Sequence, residues 1–366
     1  MALRNFGPDA LLGEWTDEKY NPKHNGKSFE ESIRAAFNIP KSDNYVYRAQ
    51  GETTLAITQR AIDGKRVHGM HDWYHDENRE LSDPAHPSPD EISAYASLFS
   101  PAVSLPKTLN AFKASSKPRT IRAHISNHLQ GRFHNTTTGL IPAKKDRFHI
   151  NPYLSLWTYS CDELEWAGPW PNTVHTKIAH HILPVFYHHF GCIVPTYAAL
   201  HVVAKLAQPA KPSKENVRPV LDIGSGNGYW SFMLRSFPLL ENMKTLDVRP
   251  IDNGLSEYRV SWVADTIRED GISYLNNHDG GKGCVLLLVY PQATGNFTGP
   301  VLKAFKGDSI VVAGTQNGNG FTAFQDEVVD EWVERELKEF ELTLRMPLPS
   351  FAGKDEALFV FQRKAK

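Results

Sequence analysis

Residues 285–289 read VLLLV, five aliphatic side chains in a row between a cysteine and a tyrosine. A strand with one wet face alternates apolar and polar residues. This one offers neither face to water and therefore belongs in the interior of a sheet covered on both sides. Further short apolar runs surround it: RPVLDI (218–223), KTLDVRPID (244–252), RVSWVAD (259–265) and DSIVVAG (308–314). Helical patterns separate them, among them YWSFMLRSF, DGISYLNN and GPVLKAF. Strands alternating with helices in this way predict an open parallel sheet. The C-terminus changes the pattern. A helical stripe in DEVVDEWVERELKEF precedes ELTLRMPL (341–348) and EALFVFQRK (356–364), and the link between these two strands is too short for a parallel crossover. The expected fold class is α/β, a seven-stranded mixed sheet of five parallel strands plus a C-terminal antiparallel pair.

The chain has 366 residues, more than that sheet needs. Residues 1–185 read as a mainly helical, loop-rich region, with capping-box signatures at SFEE (28–31) and SPDE (88–91). Residues 186–366 hold the sheet, entered through CIVPTYAALHVVAKLAQPAKP (192–212), a helix opened by Pro195. The charge balance, 40 Lys and Arg against 41 Asp and Glu, advertises neither nucleic acid nor an anionic membrane. The apolar runs are too short to cross a bilayer, and MALRNFGPDALLGEW lacks the apolar core of a signal peptide. Three scattered cysteines argue against a disulfide framework. A cytoplasmic protein without membrane or nucleic-acid partners is expected.

The first strand leads into LDIGSGNG, with Asp222 two residues before Gly224, Gly226 and Gly228. A dinucleotide fingerprint wants its third glycine at position 229, which is Tyr, and a phosphate loop wants Lys followed by Ser or Thr. The spacing D-x-G-x-G-x-G instead resembles the first motif of the class I S-adenosylmethionine-dependent methyltransferases. The reversed terminal hairpin is similar to that family's Rossmann-like sheet, and the resemblance spans roughly residues 192–366. It implies S-adenosylmethionine as cofactor, with the turn Gly224, Ser225, Gly226, Asn227 and Gly228, preceded by Asp222, running beneath its methionine and ribose. Glycines there let the main chain approach without Cβ clashes.

The resemblance further implies an acid for the ribose hydroxyls at the end of the second strand. Asp247 and Asp252 compete for that place. Asp252 is preferred because it ends the apolar alternation and opens the turn DNG. An acid after the third strand, facing the adenine amino group, falls on Asp265 with Thr266 beside it. At the methyl-delivery rim after the fourth strand stand Tyr290, Pro291 and Gln292, and Tyr290 and Gln292 are the catalytic candidates. Nitrogen methylases of the superfamily often carry N-P-P-Y or D-P-P-Y here. This sequence shares only the aromatic and the proline.

Several clusters read more simply. The histidines of VHGMHDWYH (His68, His71, His75) and HHILPVFYHH (His180, His181, His188, His189) lack the spacing of a specified metal site, so no metal is expected. His188 or His189 is a possible base facing substrate. Trp157, Tyr159, Trp166 and Trp170 form either a substrate sandwich or plain packing. The expected activity is methyl transfer to an N or O nucleophile on a small molecule. The rival readings are a methyltransferase-like regulator or scaffold without catalysis, and a nicotinamide-dependent oxidoreductase.

Overall fold

A computed structural model of the chain describes residues 2–3, 5–49, 51–65, 72–81, 86–143, 147–176, 180–211 and 215–364. Eight strands form one mixed sheet: β1 (His134–Asn135), β2 (Val220–Ile223), β3 (Val248–Asp252), β4 (Ile267–Arg268), β5 (Val285–Val289), β6 (Ser309–Thr315), β7 (Phe340–Pro347) and β8 (Glu356–Arg363). Their spatial order is β1-β7-β8-β6-β5-β2-β3-β4. The block from β2 to β6 is parallel throughout. β8 enters reversed between β6 and β7, and β1 pairs antiparallel with the outer side of β7. Eight strands appear where seven were expected, because the N-terminal half lends the two residues of β1.

One expected strand does not form. Residues 259–265 were read as the third strand, yet their main chain is bonded elsewhere. Arg259 N–H donates to His188 O (2.9 Å), Trp262 N–H to Asn227 O (2.8 Å), and the Trp262 indole to His189 O (2.6 Å). Those bonds tie the segment to the glycine turn and to the helix Ile182–Phe190, so pairing with β3 begins only at Ile267.

β5 is buried as its composition demands. Leu286 and Leu288 face a core completed by Tyr274, Leu275, Val301, Leu302 and Trp332 from the helices Gly271–Asn277, Thr298–Ala304 and Val329–Glu336. Val285 and Leu287 face the opposite core, which contains residues of the helices Tyr197–Ala207 and Tyr229–Arg235. That second core runs without a break into aromatic side chains of the N-terminal half, including Phe29, Tyr153, Trp157 and Phe186. Trp166 and Trp170 are buried in the same mass with rings stacked 6.5 Å apart, and Tyr159 stacks on Phe29, so these aromatics are packing.

The N-terminal helices begin where capping chemistry starts them. Ser28 Oγ accepts the Glu31 N–H while Glu31 reaches back to the Ser28 N–H, opening the helix Phe29–Ala36, and Ser88 caps Pro89–Ala96. Thr196, rather than Pro195, caps the helix Tyr197–Ala207. The helix Ile182–Phe190 crosses the expected boundary at 185/186 and is buried at every position. A core shared in this way links the two halves energetically. Differential scanning calorimetry should therefore show one unfolding transition, and two separated transitions would contradict the shared core.

Candidate active site

β2 ends at Ile223 and the chain turns sharply through three glycines with left-handed backbones, φ +76° at Gly224, +59° at Gly226 and +80° at Gly228. Other residues rarely hold such angles. Gly224 and Ser225 donate their N–H groups to Ile251 O of β3, which pins the turn against the neighbouring strand. A Cβ on Gly226 would lie 2.6 Å from the Tyr258 hydroxyl, and one on Gly228 2.3 Å from Val263. The first glycines open a cleft, and Gly228 lets the helix Tyr229–Arg235 start hard against the segment after β3.

The cleft encloses about 940 Å³ of empty space, its solvent-open mouth included, and is bounded by Gly224–Asn227 on its floor. Asp252, Asn253, Ser256 and Tyr258 follow β3 along one wall, and Glu269 and Asp270 follow β4. Val289–Gln292 form the rim after β5. From the end of the helix Ile182–Phe190 come Phe190, Gly191 and Cys192. All these groups sit at the C-terminal ends of the parallel strands, where open α/β sheets bind ligands.

Asp252 occupies the place expected of it. Its Oδ2 accepts the Gly226 N–H at 3.0 Å, tying the glycine turn to the end of β3, and its Oδ1 accepts the Gly254 N–H at 2.6 Å in the turn that follows. Asp247 faces away and holds Arg249. The expectation for Asp265 and Thr266 is corrected: neither lines the cleft. Asp265 makes a two-pronged ion pair with Arg235, both contacts at 2.8 Å. Because β4 starts late, the acids that follow it are Glu269 and Asp270, and Asp270 also caps the helix Gly271–Asn277. Tyr258, Phe190 and Cys192 were missed in the sequence, since they lie outside the strand-end motifs that signal a cleft.

Asp222 is fully buried. Its Oδ2 accepts the Ser231 hydroxyl at 2.7 Å, and its Oδ1 has no hydrogen-bond partner. Desolvation, with a smaller push from the Asp252 charge, lifts its carboxyl from 3.8 to about 7. Tyr290 carries a left-handed backbone, φ +50°, uncommon for a bulky residue and worth about 1–3 kcal/mol of strain. Its N–H is anchored on Ala313 O at 2.8 Å. Alternation along β5 would send Tyr290 to the face of Leu288. The left-handed turn instead packs it with Val289 against the core shared with the N-terminal half, its ring 5.8 Å from that of Tyr187. Gln292 is exposed on the rim and bridges to Thr322.

Neither candidate histidine base reaches the cleft. His188 Nδ1 meets the Tyr45 hydroxyl (2.9 Å) and its Nε2 meets the main chain of Arg48. His189 Nε2 meets the Tyr47 hydroxyl (3.0 Å). Burial depresses the pKa of both rings, that of His189 strongly. His68 and His71 lie outside the described residues. Among the described residues no group of three or more His, Cys, Asp or Glu side chains is arranged to hold a metal ion, and no helix is long and apolar enough to cross a membrane.

Three carboxylates, Asp252, Glu269 and Asp270, line the cleft above the buried carboxyl of Asp222, and no Lys, Arg or His stands among its described lining residues. Such a surface attracts cations and repels phosphates. Compared with protein-family profiles and with curated proteins, the chain matches none.

The Asp222 shift sets a pH dependence. The native carboxyl keeps a proton that the unfolded chain releases near pH 4, so stability falls as pH rises from about 4 to about 7 and is flat above. The loss is on the order of 4 kcal/mol. Asp222→Asn, which removes the buried charge, should raise the melting temperature by a few degrees at pH 8 and change it little at pH 4. Fluorimetric melts at the two pH values check this, and a fall at pH 8 would refute it.

Proposed function

We propose that the chain is an S-adenosylmethionine-dependent methyltransferase acting on an N or O nucleophile of a small molecule. The carrying observation is the cleft itself: a triple-glycine turn at the strand ends, ringed by carboxylates and lacking cationic side chains among the described lining residues. When bound, S-adenosylmethionine supplies a methyl group activated on a positively charged sulfur. A nicotinamide dinucleotide would bring a pyrophosphate to the same carboxylates without a counter-charge. Opposite or like charges 4 Å apart near a protein surface interact by about 4 kcal/mol, enough to separate the two cofactors.

The residues present fit the sulfonium cofactor in kind. Asp252, held rigid by two N–H groups, would take the ribose hydroxyls. The bare main chain of Gly224–Asn227 would run beside the amino-acid end, and Glu269 or Asp270 would face the adenine amino group. Asp222 Oδ1 is a buried acceptor still lacking a donor, the mark of a site shaped for a ligand rather than for packing alone. The insertion of reversed β8 between β6 and β7 supports reading β2–β8 as the seven-stranded sheet of the class I methyltransferases, with β1 as an addition. Phe190, Gly191 and Cys192, at the end of the helix that joins the two halves, would shape the acceptor side of the cleft.

At the rim, Tyr290 offers a ring face to a cation and a hydroxyl to an acceptor. Holding the acceptor in line is the larger part of the task, worth up to roughly 7–11 kcal/mol in well-oriented reactions. Calorimetry with S-adenosylmethionine and with NAD tests the reading. Micromolar binding of the first alone is expected, weakened at least about tenfold by Gly226→Ala, whose Cβ would crowd Tyr258. Binding of NAD, or of neither, would overturn it.

A further inference from the structure

The charged groups of the cleft are gathered at one end of it. Asp252 ends β3, Glu269 and Asp270 follow β4, and both strands stand on the same side of β2. Each carboxylate is also tied down where it stands. Asp252 accepts the Gly226 and Gly254 N–H groups, and Glu269 accepts the Asn277 amide at 2.8 Å. Asp270 caps its helix by accepting the Ile272 and Ser273 N–H groups at 3.0 and 3.1 Å.

β5, on the other side of β2, ends in Val289 and the rim Tyr290–Gln292. The helix Ile182–Phe190 packs Tyr187 on Tyr290 and delivers Phe190 and Cys192 to the cleft. Phe190, Cys192, Val289 and Tyr290 all pack into the aromatic core shared by the two halves. The polar groups here, the Cys192 thiol, the Tyr290 hydroxyl and the Gln292 amide, are uncharged, and burial pushes the thiol up to about 12. Lys354 and Glu356 act on Cys192 from behind with opposite signs, and neither lines the cleft. An alkyl ammonium would be stripped of water against these residues without a counter-charge, and a carboxylate or phosphate would also face the acids. A phenol or alcohol needs a base for its proton. The three carboxylates are engaged at the far end, and His188 and His189 are bonded to Tyr45 and Tyr47. A neutral ring nitrogen with an in-plane lone pair needs neither counter-charge nor base, and its flat faces suit aromatic walls.

We propose that the acceptor is an uncharged, planar heteroaromatic molecule methylated on a ring nitrogen, lying against Phe190, Cys192 and Tyr290 with Gln292 at its exposed edge. This deepens the methyltransferase reading and rests on it. In the transfer step the lone pair of the ring nitrogen forms the new N–C bond, the electron pair of the breaking C–S bond stays on sulfur, and no proton moves. The positive charge passes from sulfur to the ring, inside a cleft whose only described charges are carboxylates.

Quinoline, isoquinoline and nicotinamide are the heteroaromatic probes, set against the amines tyramine and putrescine and the hydroxyl compounds para-cresol and benzyl alcohol. Calorimetry with S-adenosylmethionine comes first. No binding by the wild type sinks the methyltransferase reading and the acceptor class with it, whereas binding followed by any failure below sinks the acceptor class alone. Saturation-transfer NMR should show quinoline, and not putrescine, on the protein loaded with S-adenosylhomocysteine. In S-adenosylhomocysteine release, kcat/KM for the heteroaromatics should exceed that for the other compounds at least about tenfold and stay flat from about pH 7 to about pH 9, since no proton is lost. Mass spectrometry should find the N-methyl product. Gln292→Glu puts a carboxylate on the exposed rim without a change of shape. It should keep the wild-type melting temperature and move the preference at least about tenfold toward tyramine. Wild-type preference for an amine or a hydroxyl compound, no turnover of any ring nitrogen, a rate that climbs with pH across that range, or an unchanged preference in Gln292→Glu overturns the proposal.

Discussion

A parallel strand without a polar side chain cannot exist at a surface, and Val285–Val289 sets this condition for the whole molecule. Three helices satisfy it on one face. On the other, the helices Tyr197–Ala207 and Tyr229–Arg235 begin the cover and the N-terminal aromatics continue it. The N-terminal half is thus a second layer of one core, and its chain is drawn to the ligand-binding end of the sheet. There the helix Ile182–Phe190 delivers Phe190–Cys192 to the cleft wall and Tyr187 to the back of Tyr290.

Left-handed backbone serves two of the cleft's main parts in different ways. The glycine turn accepts such angles at no steric cost, and Asp252 locks it by accepting the Gly226 N–H. Tyr290 adopts a similar angle at a cost, and the result is a change of face at the end of β5. Asp252, Glu269 and Asp270 gather round one opening, above the buried carboxyl of Asp222.

Apolar runs made the sheet legible in the sequence: the glycine turn follows β2, and Asp252 ends β3, where the close of the apolar alternation puts it. The third strand was not legible, for a definite reason. RVSWVAD has the alternation of a strand, but its apolar residues Val260, Trp262 and Val263 are spent on the junction with the helix Ile182–Phe190 and the glycine turn. The strand itself comes later, so the acids that follow it into the cleft are Glu269 and Asp270, while Asp265 pairs with Arg235 outside it. Tyr258 was invisible for another reason: its place on the cleft wall arises from its approach, across 32 residues of sequence, to Gly226, and no local pattern records that.

The two ends of the sheet share a property with a different kind of consequence. β4 and β1 are each only two residues long, and β1 meets the middle of β7 while the neighbouring Thr136 N–H donates to Thr343 O. Long open edges invite the strands of other molecules, and natural sheets often defend against this with short or interrupted margins. The brief loan of His134 and Asn135 breaks up the template that eight residues of β7 would otherwise present. A piece of chain that looks incidental to the cleft is thereby a safeguard against self-association and fibre growth.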